Sequence, residues 1–457
     1  MGRVFAAACL AMLTFGVDAV RAQQEPPSLP PQTTAKDQPE PQMPGMQMSS
    51  SGMNDAAMYL MQRASGTAAN PSAAMAPMLS TTLLGWKLMF HGQGFIADVQ
   101  QTGPRGADKF FSPNWFMGMA SHTMGAGAFS IRAMLSLEPA TISGRFYPEL
   151  FQTGETAFGR PLVDGQHPHN LFMELSFAYA WTFREKTTLE IYFAPVGDPA
   201  LGPVAFPHRV SAEELPQAPL GHHLQDSTHI ADEVVTAALH RPHFGVELSG
   251  FHGAEPGENR WIIQTGAIDS WAARLDWTPT PNWSAQVSAG RLHNPEALEP
   301  GDIVRNTASV TYDRAFESGH WATSLIWGRN HEVANQRNLN SYLLESVVQF
   351  RTKNYVTGRV ELLDRDELFA DQAVLEQQLD ATVGSTFRVA AYTLGYTRDV
   401  HFVPRVSTGL GGNFTLYGVP EAIVPYYGAH PVAVYLYLRF RLEGRGGTPH
   451  KHGSGMH

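Results

Sequence analysis

The chain has one cysteine, Cys9, and it lies in the apolar stretch near the start. Past that stretch there is no thiol, so disulfide frameworks and thiolate chemistry are excluded. Long apolar runs are missing too. Nowhere does the sequence approach the roughly 18 consecutive apolar residues that a membrane-crossing helix needs. Charged residues make up only 16% of the chain, the formal net charge is −10, and there is no basic stripe, which argues against nucleic acid as a partner. No G-x-S-x-G elbow occurs; the glycine-rich Thr408-Gly409-Leu410-Gly411-Gly412 lacks a central serine.

The amino terminus has the three parts of a secretory signal. Arg3 gives the positive start, Val4 to Val17 the apolar core, and Val20-Arg21-Ala22 a small-x-small cleavage pattern. Residues 1–22 are therefore expected to be removed on export. Residues 23–80 are rich in Pro, Gln, Ser, Ala and Met and poor in large aliphatic residues. Such a segment buries too little apolar surface to order itself, so a disordered periplasmic leader is expected. A short amphipathic helix around Asp55 to Arg63 that plugs or docks on the rest is the alternative. Residues 443–457 read as a flexible tail.

The most informative stretch is Val432 to Leu442, VAVYLYLRFRL. Val432, Val434, Leu436, Leu438 and Phe440 form one row, while Tyr435, Tyr437, Arg439 and Arg441 belong to the other. Strand side chains alternate between faces, so one row meets something oily and the other something wet. The same pattern marks Ala267 to Arg291, where Trp271, Ala273, Leu275 and Trp277 are followed by a Thr278-Pro279-Thr280-Pro281 turn and then Trp283, Ala285, Val287 and Ala289. Trp277 and Trp283 bracket that turn, as residues of an aromatic girdle at a headgroup level would.

Segments of this kind are expected near 83–98, 109–120, 126–138, 171–183, 188–195, 229–239, 243–252, 267–277, 282–291, 306–313, 320–329, 341–351, 355–364, 385–398, 406–417 and 431–441. Links between them alternate short and long. The prediction is an all-β protein: a transmembrane antiparallel up-and-down β-barrel over residues 81–442 with about sixteen strands (fourteen to eighteen). An even count puts both chain ends on the periplasmic side of a Gram-negative outer membrane, with lipid as the first partner. The wet rows then supply a lumen containing Glu174, Glu190, Glu247, Arg274, Asp276, Glu345, Arg351, Arg359, Glu361, Arg439 and Arg441.

Two further residue types are clustered. Of 19 histidines, about half fall between His167 and His252. His167, His169, His222, His223 and His229, with Asp226 among them, lie in or beside two long loops; neutral imidazole with carboxylate is a transition-metal ligand set. Ordering of those loops by histidine hydrogen bonds is the other reading, and both stay open. His223, Asp226, Ser227 and His229 also supply the residue types of a rim hydrolase, although a triad is recognised in space and not along the chain. Met43, Met46, Met48 and Met53 place thioethers close together in the leader, a donor type that selects Cu(I) or Ag(I).

With the export signal, the Met43, Met46 and Met48 leader and a barrel behind it, the layout resembles that of the copper-resistance protein B family. The resemblance implies capture of copper at the outer membrane. The expected function is thus a non-enzymatic barrel, channel or binder, handling copper or silver. The alternatives are a porin-like channel for small solutes without a metal role and an outer-membrane hydrolase. Oligomeric state is not legible.

Overall fold

The computed structural model describes residues 53–74, 77–297, 300–400 and 406–442. The predicted signal segment, Met43, Met46, Met48 and the 443–457 tail lie outside the described residues.

Sixteen barrel strands are present among the described residues, every neighbouring pair antiparallel. They are β1 (Trp86–Gln101), β2 (Asn114–Met124), β3 (Gly127–Leu135), β4 (Phe172–Phe183), β5 (Thr187–Gly197), β6 (Ala231–His240), β7 (Phe244–His252) and β8 (Ser270–Trp277). The second half comprises β9 (Trp283–Leu292), β10 (Ile303–Phe316), β11 (Gly319–Glu332), β12 (Arg337–Phe350), β13 (Asn354–Arg365), β14 (Phe387–Asp399), β15 (Val406–Gly418) and β16 (Val432–Leu442). Each strand pairs with the next in sequence, and β16 closes the ring on β1 through the register Gln93↔Arg441 to Gln101↔Ala433. Closure leaves no open edge, a requirement in hydrocarbon, where unpaired backbone amides have no water. A short extra strand, Leu79–Leu83, pairs with the start of β1. Some predicted bounds shift by a few residues; β10 to β12 run longer than their apolar alternation suggested.

The polarity is inverted relative to a soluble protein. The largest fully buried side chains include six arginines: Arg132, Arg209, Arg274, Arg305, Arg359 and Arg439. Exposed positions carry Trp181, Leu248, Trp271, Leu275, Val287, Leu410 and Leu436. Charged groups bury only when paired or hydrated, so this arrangement requires a polar interior and an apolar surrounding. Trp283, Tyr312 and Trp321 sit ring against ring, 4.6 and 5.3 Å apart, near the short turns and begin an aromatic belt there. Short turns (125–126, 184–186, 241–243) share one end and the long loops 136–171, 198–230 and 366–386 the other. This is the build of a bacterial outer-membrane barrel with periplasmic turns, and it places the chain in that membrane.

Two expectations are corrected. Arg351 is exposed in the β12–β13 turn with φ +49°, so it does not face the lumen; the alternation that pointed it inward ends with the strand at Phe350. The leader is not structureless throughout. Residues Asp55–Met61 form a helix, α1, capped by Asn54, whose side chain accepts from Ala57 N and donates to Gly125 O and Gly127 O. Ala56, Ala57 and Leu60 are buried against Ala128, Ala178, Ala180 and Tyr192 of the barrel wall, with Met53 packed beside them. Beyond α1, Arg63 reaches Glu190 at 3.1 Å, and Thr67 donates to Glu247 at 2.6 Å. A polar lumen can order a polar segment through ion pairs, a term that apolar composition does not register.

Candidate functional site

The loop joining β5 to β6, residues 198–230, folds into the barrel instead of away from it. Nearly all of it is buried. Its backbone is caught by side chains from around the wall: Ala200 N and Gly202 N donate to Ser249 and Ser288, Gly221 N to Glu361, and Arg305 Nη2 holds His223 O. Ion pairs fix it further. Arg209 bonds Glu345 at 2.5 Å and Asp226 at 3.0 Å, and Glu345 also takes Arg359 at 3.1 Å. Along the same arc, Glu214 takes Arg439 and Arg441 of β16, while Glu213 takes His320 of β11 and Arg441. Burial alone would raise the Glu213 carboxyl, but the Arg441 guanidinium and His320 hold it down at about 2.

Loop 198–230 and the 53–74 segment meet in the lumen, where Ala205 N donates to Ser65 and Asn70 donates to His208 O. Clefts beside them include one of about 60 Å³, lined by groups such as Arg274 and Gln286, and one of about 40 Å³, lined by groups such as Trp115 and Phe206. Each has room for a few water molecules. The lumen is thus filled at this level by the chain's own segments.

All five histidines singled out in the sequence, and Asp226, come together where loop 136–171 meets loop 198–230. Ring centroids step from His169 to His229 (5.4 Å), to His222 (5.1 Å), to His223 (5.2 Å) and to His167 (5.8 Å). His167, His222 and His223, all buried, each offer a nitrogen, and these atoms lie within 4.8 Å of one another. Local structure sets this up: His222 and His223 start the one-turn helix His222–Gln225, whose following turn brings His229 back beside them. Gly154, at φ +115°, faces the His223 ring; a Cβ there would stand 2.9 Å from its Cγ, so glycine is needed for the approach.

The tautomers follow from the partners. Nδ1 of His167 faces Pro168 O at 3.0 Å, Nδ1 of His229 faces Asp226 O at 2.8 Å, and Nδ1 of His222 faces the Asp226 carboxylate at 2.7 Å. An acceptor opposite Nδ1 requires the proton there, which leaves the Nε2 lone pair free. Nε2 of His229 is buried without a hydrogen-bond partner, while Nε2 of His167 and Nδ1 of His223 face only carboxylate oxygens, of Glu155 at 2.7 Å and Glu255 at 3.5 Å. An unsatisfied buried polar atom costs about 1–3 kcal/mol. Burial pushes the His167 and His229 imidazoles well below their usual range, and His222 is also lowered by burial against the opposing pull of Asp226. These three rings are neutral at pH 7. Asp226 itself, which burial would raise, is held well below the carboxylate range by His222 and Arg209.

Sequence reading missed several neighbours. Glu138 takes His169 Nδ1 at 2.9 Å, and Glu155 stands 2.7 Å from His167 Nε2. A second imidazole cluster lies deeper: His91 Nε2 is 3.1 Å from Met117 Sδ, and His208 Nε2 is 3.0 Å from Met134 Sδ. His91, Met117 and Met134 are register partners across β1, β2 and β3, a relation that the strand pairing supplies and sequence distance conceals. Met53 belongs to the apolar packing of α1 and no described contact joins it to the histidines. A hydrolytic triad is not assembled among the described residues, since Ser227 accepts from Arg305 and the Asp226 carboxylate serves His222 and Arg209.

No family model and no curated protein matches the sequence, so the likeness to the copper-resistance protein B family gains no support there. Solved structures do align along most of the chain. An anion-selective porin from Comamonas acidovorans is 12% identical, with a TM-score of 0.47, covering 78% of this chain and 100% of its own. OprB of Pseudomonas putida is 11% identical, with a TM-score of 0.49, covering 78% and 94%. OmpF of Salmonella typhi is 8% identical, with a TM-score of 0.47, covering 79% and 100%.

Proposed function

We propose that the protein is a porin-like outer-membrane channel for small solutes whose passage is shut by its own inserted segments. The observation that carries this reading is loop 198–230, which lies buried in a polar lumen and is tied by ion pairs to β11, β12 and β16 and by hydrogen bonds to β7 and β9. A lumen lined by charges of both signs is built for water and polar solutes; a barrel serving only as an anchor gains nothing from it. The ties are electrostatic and hydrogen-bonded, so they exchange for hydration when the loop leaves the wall. Segment 53–74 adds a second stopper, held by the packing of α1 and by Arg63 and Thr67.

The experiment is conductance in planar bilayers. The intact chain is expected to conduct rarely, and a variant with residues 53–74 removed and residues 205–225 replaced by a short glycine-serine link is expected to conduct steadily. A shortened variant that folds as a barrel yet passes no current would overturn the reading. The hydrolase alternative gains no support, because among the described residues no hydrogen bond joins Ser227 to a histidine.

A further inference from the structure

We infer that His167, His222 and His223 form a binding site for a borderline divalent transition-metal ion, with Zn²⁺ and Cu²⁺ as its ligands. Four observations converge. The three side chains offer nitrogens within 4.8 Å of one another and all are buried. Metal–nitrogen bonds of about 2.0–2.1 Å in a tetrahedral site put nitrogens about 3.3 Å apart, so a contraction of about 1.5 Å or less closes the site. His229 Nε2 is buried here with no partner, and His167 Nε2 and His223 Nδ1 face carboxylate oxygens in place of a donor.

The outer contacts complete the pattern. Metal-bound histidines almost always give their other N–H to a carboxylate or carbonyl. His222 does so to Asp226 and His167 to Pro168 O. Glu155 Oε1, 2.7 Å from His167 Nε2, adds negative charge at the edge of the site. Three imidazoles favour borderline ions over Ca²⁺ or Mg²⁺. Were these rings present only to order the loops, their free lone pairs would be expected to find donors, as their Nδ1 atoms have found acceptors.

An ion here would join loop 136–171 to loop 198–230. The site stands on its own geometry and does not depend on whether the barrel conducts.

The test uses the full chain, folded in detergent and stripped with EDTA, with His450, His452 and His457 of the tail changed to alanine so that the tail contributes nothing. Zn²⁺ titration by calorimetry is expected to give one ion per chain at micromolar affinity or tighter. Cu²⁺ is expected to give a paramagnetic resonance spectrum with splitting from several imidazole nitrogens. His167→Ala, whose Nδ1 touches only neighbouring backbone, and the double variant His222→Ala/His223→Ala should each weaken binding at least 100-fold. Asp226→Asn should weaken it about 10- to 100-fold, through the orientation of His222. The heat-dependent gel shift of a folded barrel checks each variant. Absence of binding tighter than 100 µM, or His167→Ala binding as the parent does, overturns the assignment. If only the double variant fails to fold, His167→Ala still decides.

Discussion

Replacing Glu345 with leucine should open the lumen. Glu345 is fully buried on β12 and accepts from Arg209 and Ser211 of the inserted loop and from Arg359 of β13. Without it, Arg209 keeps Asp226 and Val204 O, and Arg359 keeps Gln217 O and Ala218 O. Removing one partner of a buried ion pair costs about 3–5 kcal/mol, because a charge stays behind without compensation. The surviving contacts place Glu345→Leu at the lower end. In the opened state both arginines meet water, so the loss falls on the closed arrangement alone. About 3 kcal/mol is roughly a 100-fold change in the closed-to-open ratio. Single-channel recording should therefore show open probability rising about 100-fold over the parent, with Glu345→Gln between the two because an acceptor remains. An unchanged open probability in a protein that keeps its heat-dependent gel shift would refute the idea that ion pairs hold the loop shut.

Acid should act in the same direction. Glu213 is held at about 2 in the folded chain, below its ordinary range, so its pairing is fully present above about pH 4.5 and lost as pH falls toward 2; bilayer conductance should rise across that window, and flat conductance would count against the Glu213 tie. Arg63→Ala removes a cation from Glu190 and Glu247; limited proteolysis should then cut within 53–74 at least tenfold faster while the barrel resists. Leu436→Arg puts a charge on the lipid face and should cost about 2–4 kcal/mol in urea unfolding from lipid vesicles. Gly154→Ala, at φ +115° and against the His223 ring, should lower Zn²⁺ affinity at least tenfold by calorimetry with the barrel intact.

The membrane-facing architecture was legible from end to end. The apolar row of 432–442 faces outward and Tyr435, Tyr437, Arg439 and Arg441 inward, as the alternation predicts. The predicted lumen charges face inward apart from Arg351, where the turn begins one residue after the strand. The histidines were picked out by their crowding along the chain. What made them a cluster was the fold-back of loop 198–230 on loop 136–171, which no local pattern announces.

The sequence by itself determined an up-and-down barrel of about sixteen strands, its lipid face and the residue types that would line its interior. Those depend on a two-residue period and on turn chemistry, both written into a few neighbouring residues. Tertiary structure chose the docked helix, α1, over a disordered leader, and it alone decided that loop 198–230 occupies the lumen, that Arg209 finds Glu345 and Asp226, and that five imidazoles share one corner. The pairing of charges in a polar interior is a contest among partners scores or hundreds of residues apart, and its outcome depends on distances that only the closed ring establishes.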